Sequence, residues 1–265
     1  VYKRQSLGSI MEKNIILAGV GGQGILSIAF VIDNAALDAG YEFKQAEVHG
    51  MAQRGGAVQS NLRYADHEIY SDLIPKGAAD MVLSVEPLEV MRYWHFLKPD
   101  GWVVSSVTPY VNIPDYPETE QVLNQLATFP HCILVDGGQI AKAAGNLRAQ
   151  NMVAVGAASS ELDFTEDQLL KYVEVLFKRK GDKIVEVNQR AFRYGRAAGL
   201  FFRGLVDGGM AIPLALRLSQ RIAPETYDPA LAADWVGYAE SDGSALASVI
   251  AAEETIACDQ IPAGT

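Results

Sequence analysis

Two short segments carry residues of the right type and spacing to hold an anionic ligand. The first is Gly19-Val-Gly-Gly-Gln-Gly24, which follows the apolar run Asn14-Ile-Ile-Leu-Ala18 and precedes a helical pattern. Its Gly19-x-Gly21-x-x-Gly24 spacing is that of a dinucleotide fingerprint. Such glycines allow a tight turn, and backbone amides at the helix start can receive a phosphate. This marks Gly19, Gly21, Gly22, Gln23 and Gly24 as candidate ligand-binding residues. The same spacing also serves a strand-to-helix turn that binds nothing.

The second segment is Glu47-Val-His-Gly-Met-Ala-Gln-Arg-Gly-Gly56. Arg54 followed by Gly55 and Gly56 offers a planar guanidinium and free amides to a carboxylate or phosphate. His49 can move a proton near neutral pH, and Glu47 can orient it. His49 and Arg54 are therefore the candidate catalytic residues. The plainer alternative is a structured turn in which Glu47 and Arg54 pair only with each other. Glu47 also stands where a fingerprint fold would place a ribose-binding acid, although His49 beside it suits a ribose poorly.

The elements that must position these loops follow from periodicity. Helical spacing runs from Ile25 to Ala39, with Gly40 at the C-terminal cap, and Tyr41–Val48 reads as a strand. Strand, glycine loop, helix and strand in that order open a doubly wound sheet. Further strands are expected at Ala57–Tyr64, Asp80–Val85, Trp102–Val107 and Cys132–Val135. Glu68–Tyr70 is expected to return as a short antiparallel strand after an Ala65-Asp-His67 turn. Helices are expected over Glu86–Leu97, closed by a Pro99-Asp-Gly turn, and around Glu120–Ala127 and Gln139–Ala144. The alternation predicts an α/β fold, a Rossmann-like, mainly parallel doubly wound sheet with C-terminal helices. Thr165-Glu-Asp-Gln168 reads as a capping box opening a helix to about Lys178, and Asp182–Phe202 as another helix. Short helices are expected around Leu214–Arg221 and Ala245–Glu254. The division is a Rossmann-like domain over residues 11–200 and an acidic, Ala-rich extension over 201–265.

Composition limits the function. The chain of 265 residues is 49% hydrophobic and 20% charged, as expected of a globular domain with a sizeable core. Its net charge of −10 is uneven. Eight acids and no Lys or Arg follow Arg221, leaving 24 acids against 22 bases in residues 1–221. No basic field of the kind that nucleic-acid binding needs is present, and no apolar run approaches the ~18–20 residues of a membrane span. Val1–Ile10 has no secretory h-region, and Met11 reads as a natural start. Two distant cysteines, Cys132 and Cys258, form no CxxC and fit a cytoplasmic setting. An iron–sulfur cluster takes about four thiolates, so this chain is not expected to carry one. His67, His95 and His131 show no metal-ligand spacing, so no metal site is expected. Between Lys171 and Arg203 nine bases face three acids, with Arg190, Arg193 and Arg196 at helical spacing. These read first as a solvated helix face, and second as a surface for an acidic partner or coenzyme phosphates. Asp136-Gly-Gly138 reads as a strand-end turn bordering the crevice.

The two long motifs together, Ala18-Gly-Val-Gly-Gly-Gln-Gly-Ile25 and Glu47-Val-His-Gly-Met-Ala-Gln-Arg-Gly-Gly-Ala-Val-Gln-Ser60, closely resemble the small (beta) subunits of indolepyruvate:ferredoxin oxidoreductases. These belong to the wider gamma-domain family of 2-oxoacid:ferredoxin oxidoreductases. The resemblance runs from about Met11 to Gly199 through Ser71-Asp-Leu-Ile-Pro75, Ala79-Asp-Met-Val-Leu83, Glu86-Pro-Leu-Glu89 and Asn188-Gln-Arg-Ala-Phe192. Arg54-Gly-Gly56 is shared with pyruvate-type members, whereas His49-Gly-Met51 is similar to the indolepyruvate type.

The resemblance implies a multi-chain enzyme that oxidatively decarboxylates an aryl 2-oxoacid with coenzyme A and passes electrons to ferredoxin. It places thiamine diphosphate, Mg and 4Fe-4S clusters on a large partner subunit, with no cofactor bound by this chain alone. The sequence agrees in having no clustered cysteines and no Gly-Asp-Gly with a downstream Asn for a thiamine-diphosphate magnesium site. Two other readings stand beside it. One is a free-standing NAD(P)-binding oxidoreductase, resting on the glycine fingerprint. The other is a purely structural assembly subunit.

Overall fold

The computed structural model describes residues 11–49 and 55–221, with the side chains of His49 and Arg221 left out. One six-stranded sheet organises them. Its strands are β1 Glu12–Val20, β2 Glu42–His49, β3 Ala57–Ala65, β4 Ala79–Ser84, β5 Leu97–Ser106 and β6 Cys132–Val135, in the spatial order β2-β3-β1-β4-β5-β6. β1, β4, β5 and β6 pair in parallel, while β3 runs antiparallel to both β1 and β2. Five strands therefore point one way and β3 alone is reversed. The mainly parallel α/β architecture is as the alternation predicts.

The strand order also places the crevice. From β1, the chain moves by helix α1 (Ile25–Asp38) toward β2. From β4 it moves the other way, by α2 (Pro87–Tyr93) to β5 and by α3 (Thr119–Leu126) to β6. Right-handed crossovers put α1 on one face of the sheet and α2 and α3 on the other. The direction reverses between β1 and β4, so the carboxyl ends of those two strands form the switch-point crevice where doubly wound sheets bind ligands.

The α1 face is filled by α4 (Gly137–Ala143), α5 (Gln150–Ala158), α6 (Glu166–Phe177) and α7 (Asp182–Asp207). Interior strands covered on both faces must be apolar throughout, and Asn14–Val20 of β1 are all buried. Every residue of α5 from Asn151 to Ala158 is buried too. α5 and α7 touch backbone to backbone. A Cβ on Gly156 would lie 2.0 Å from the Phe192 carbonyl oxygen, and one on Gly195 2.2 Å from that of Val153. Helix α8 (Ile212–Arg221) packs on α7 and on the edge strand β6, with Ala215 and Leu216 buried. The short helix expected at Ala245–Glu254 lies outside the described residues.

Three local expectations are corrected. Glu68–Tyr70 forms no strand. β3 already has β1 on one edge and β2 on the other, so Ala65 pairs with both Glu12 and Glu42 and no free edge remains. Residues 66–78 are irregular and are held instead by side chains. Arg63 donates to the carbonyls of Ser71 (2.6 Å) and Leu73 (3.3 Å), and Asn61 Oδ1 accepts from Ile74 N (3.2 Å). Second, Pro99–Gly101 does not end the preceding element but lies within β5. Ala79 pairs with Leu97 and Met81 with Trp102, so the intervening residues bulge out, with Pro99 and Asp100 exposed. Third, the helix after β4 ends at Tyr93 and tightens into a 3-10 turn over Trp94–Phe96. In the sheet, β3 separates β2 from β1.

The capping box forms as expected. Thr165 Oγ1 accepts from Gln168 N (3.3 Å) and Gln168 Oε1 from Thr165 N (2.8 Å).

Candidate functional site

The first glycine loop leaves β1 at the crevice. Gly19 pairs with Val58 of β3. Val20 and Gln23 then close a tight turn, with Gln23 N donating to Val20 O (3.0 Å) and Val20 N to Gln23 Oε1 (2.7 Å). The Gln23 side chain thus replaces a missing backbone partner. Gly24 is the N-cap of α1, left-handed at φ +81°, and supplies no side-chain cap. Among the described residues, no acceptor is found for the amides of Gly22, Gly24, Ile25 and Leu26. These amides lie at the positive end of a 14-residue helix, where an anion is favoured.

The second loop meets the first, as its place in the sequence predicts. Gly21 N donates to Gly56 O (2.8 Å), and Gly55 N approaches Gly21 O (3.4 Å). The amides of Gly21, Gln23 and Gly55 are thereby committed inside the loop pair. Glu47 lies on β2 opposite Ser60 and is half-buried, and the backbone of His49 pairs with Val58. Arg54 and the side chain of His49 lie outside the described residues.

Four residues at this edge carried no recognisable functional signal in the sequence. Asn112 Nδ2, from the Pro-rich loop after β5, donates to Gly55 O (2.6 Å). Glu86, just past β4 and 1% exposed, caps α2 by accepting from Glu89 N (2.9 Å). Its other oxygen accepts from Tyr116 Oη and from Tyr110 N. Burial, then the Glu86 carboxylate, pushes the Tyr116 phenol well above its usual range, so it remains a donor. Asn151, at the start of α5, abuts Gly24. Glu86 before Pro87 was readable as a helix N-cap. Asn112 was not readable at all.

Asp136 does more than turn the chain. It caps α4 through Gln139 N (3.0 Å) and accepts from Thr108 Oγ1 (3.0 Å), which in turn accepts from Gly138 N (2.9 Å). Two further carboxylates are buried without full satisfaction. Asp33 of α1 is 5% exposed, its Oδ1 has no partner, and burial raises its pKa to about 7. Glu89 also titrates high from burial, despite Arg92 at 3.0 Å. Burial raises the Cys132 thiol to about 12, as for an inert core cysteine.

The basic stretch is not simply a solvated face. Glu166 lies 3.6 Å from Arg193 and 3.3 Å from Arg196, tying α7 to α6. Arg203 pairs with Glu161 and with Asp207 (3.2 Å), and its guanidinium lies 5.1 Å from the Trp102 ring centre. Among the described residues no group of His, Cys, Asp and Glu could hold a metal ion, and no helix is long and apolar enough to cross a membrane. A 4Fe-4S cluster needs about four thiolates. This chain's two cysteines do not match that donor set.

Fold and site together define a Rossmann-like α/β subunit with paired glycine loops at the switch point. The chain belongs to the pyruvate ferredoxin/flavodoxin oxidoreductase family, whose model matches residues 14–198. It is 36% identical over 211 residues to the indolepyruvate oxidoreductase subunit IorB of Thermococcus kodakarensis, covering 73% of this chain and 99% of that one. Solved structures share the fold. The pyruvate oxidoreductase subunit PORC of Thermotoga maritima superposes with a TM-score of 0.54 at 21% identity, over 70% of this chain and 95% of that one. The 2-oxoglutarate:ferredoxin oxidoreductase of Magnetococcus marinus, solved with 2-oxoglutarate, coenzyme A and succinyl-CoA bound, gives 0.57 at 19% identity. This chain spans 42% of the length of that larger chain, which covers 82% of this one.

Proposed function

We propose that this chain is the small subunit of an aryl 2-oxoacid:ferredoxin oxidoreductase of the indolepyruvate type. It works with a large partner carrying thiamine diphosphate, Mg and 4Fe-4S clusters, which supplies the carbanion and electron-transfer chemistry. Coenzyme A and the 2-oxoacid are the small-molecule substrates, and ferredoxin takes the electrons through the complex. The reading places the enzyme in the cytoplasm, with no membrane or nucleic acid involved. The observation that carries it is the bonded pair of glycine loops at the switch point, in a chain collinear with IorB over nearly the whole of that relative.

The residues divide by task. Gly19, Gly21, Gln23 and Gly55 shape the loop pair. The amides of Gly22, Gly24 and the first turn of α1 present positive ends to an anion, with Gly56 completing the wall. Arg54 binds a carboxylate or phosphate of the 2-oxoacid or coenzyme A. His49 hydrogen-bonds or transfers a proton, and Glu47 orients it.

A free-standing NAD(P) enzyme is disfavoured by the strand order. A ribose-binding acid belongs at the end of the strand beside β1. That place is held by the start of antiparallel β3, and Glu47 lies one strand further out.

The test is co-expression with a partner chain bearing thiamine and cluster motifs, then assay with indolepyruvate, coenzyme A and a viologen acceptor. Turnover is expected from the complex and none from this chain alone. Turnover by the single chain, or tight dinucleotide binding to it, overturns the reading. A complex that forms and turns over with every Michaelis constant unchanged in Arg54→Ala and His49→Ala leaves only an assembly role.

A further inference from the structure

Helices α1 and α5 begin at the same place. Asn151, the second residue of α5, points its side chain at Gly24, the N-cap of α1. Measured from the point where a Cβ on Gly24 would sit, Asn151 Cβ lies at 3.6 Å, Cγ at 3.3 Å and Nδ2 at 2.6 Å, so the amide end leads. The third glycine of a dinucleotide fingerprint usually gives helix and strand room to pack. Here it gives room to a side chain of another helix.

Asn151 is 6% exposed. Its Oδ1 accepts from Met152 N (3.0 Å), which orients the amide and leaves Nδ2 as the forward atom. Among the described residues, Nδ2 donates to no acceptor. A buried donor without an acceptor is costly, and this one is aimed at a helix start.

The groups around it are all donors. Among the described residues, the amides of Gly24, Ile25 and Leu26 have no acceptor either. Gly24 is half-buried and Leu26 exposed, so solvent reaches this end of α1. Glu86, Asp136 and Thr165 cap α2, α4 and α6 with their side chains, whereas α1 and α5 have no side-chain cap. With 14 and nine residues, α1 and α5 each bring roughly half a positive charge to this spot.

We propose that Asn151 Nδ2 and the amides of Gly24, Ile25 and Leu26 form one phosphate site between α1 and α5, with Asn151 as its side-chain donor. Donors on two helices approach from more than one direction. That suits a tetrahedral phosphate better than the flat carboxylate of a 2-oxoacid. Coenzyme A and a dinucleotide both offer such a group. The assignment to coenzyme A rests on the functional reading above.

Binding to the full-length chain is measured by titration calorimetry with coenzyme A, NAD, inorganic phosphate and, as the phosphate-free control, pantetheine. Coenzyme A and, more weakly, inorganic phosphate should bind, and pantetheine should not. Asn151→Ala removes the donor and should weaken binding about ten- to hundredfold, the factor for a hydrogen bond to a charged group. Asn151→Asp keeps the oxygen that holds Met152 N and adds a negative charge at two helix starts. Its melting temperature should stay or rise, while its affinity for phosphate falls at least about tenfold. A merely structural Asn151 would move stability and not affinity. Unchanged affinity in Asn151→Asp, pantetheine binding as tightly as coenzyme A, or no binding of any probe at millimolar concentration overturns the site.

The source of the phosphate is decided separately. NAD bound more tightly than coenzyme A, and lost in Asn151→Asp, keeps the phosphate site and overturns both the coenzyme A assignment and the functional reading beneath it. In the reconstituted complex, Asn151→Asp should raise the Michaelis constant for coenzyme A and leave that for the 2-oxoacid unchanged. A raised constant for the 2-oxoacid alone would reveal a carboxylate site and overturns the proposal.

Discussion

Asn151 Nδ2 stands 2.6 Å from the point where a Cβ on Gly24 would sit. The first residues of α5 and the last glycine of the fingerprint are in direct contact, so the floor of the candidate site is built by a helix more than a hundred positions away. Gly24 is also left-handed. Gly24→Ala therefore meets two costs, roughly 1–2 kcal/mol for the backbone and roughly 1–3 kcal/mol for overpacking. Denaturant unfolding should show both. Shortening Asn151 to Ala in the same chain should recover the overpacking part. Equal stability of Gly24→Ala and the parent would show that the loop is not held in this way.

Gly156 and Gly195 are expected to be among the least tolerant positions. A methyl group at either would lie within 2.2 Å of a carbonyl oxygen on the facing helix, and backbone cannot step aside as a side chain can. Gly156→Ala and Gly195→Ala should each separate α5 from α7, costing more than the ~1–3 kcal/mol of ordinary overpacking. Soluble expression and far-UV circular dichroism on heating are the measurements. A Gly195→Ala protein that melts with the parent would exclude the close crossing.

Asp33 makes stability depend on pH with a definite sign. Its folded pKa of about 7 lies above the ordinary 3.8, so the folded state holds a proton that the unfolded state releases. The cost is absent below about pH 4, grows as pH rises toward 7, and is complete above it. Three units correspond to on the order of 4 kcal/mol at ~1.4 kcal/mol per unit. Asp33→Asn should therefore be more stable than the parent at pH 8, with the gap closing as pH falls to 4. A gap independent of pH would contradict the burial of this carboxylate.

Thr165 tests a local device with a known magnitude. Both halves of its capping box are formed, so Thr165→Ala should destabilise by about 1 kcal/mol. Thr165→Asp should retain most of the stability, since aspartate is as good a cap. Urea midpoints decide it, and an unchanged midpoint in the Ala variant would mean that α6 is held by packing alone.

Most of the elements, the glycine loop at the end of β1 and the second loop beside it were legible in the residues alone. Those features are local. Apolar runs four to seven residues long, glycines at turn spacing and a Thr-x-x-Gln cap each state their own conformation. Doubly wound order then puts strand-end loops on one edge, so the meeting of Gly21 with Gly56 was legible.

Features that depend on contacts distant in sequence emerge from the packing alone. β3 inserts antiparallel between β1 and β2, because strand pairing is chosen by packing among all strands and not by order along the chain. That choice removed the edge expected for Glu68–Tyr70 and moved Glu47 away from β1. The arginines of α7 read as a solvated stripe until α6 brought Glu166 to Arg193 and Arg196. Asn112 lies in a segment with no distinctive pattern, and Glu86, readable as a helix cap, gives no sign in the sequence of its bonds to Tyr116 and Tyr110. Their meaning arises only where the loop after β5 folds back across the crevice, since a hydrogen bond of a few ångströms leaves no periodic trace in a sequence separation of 57 residues.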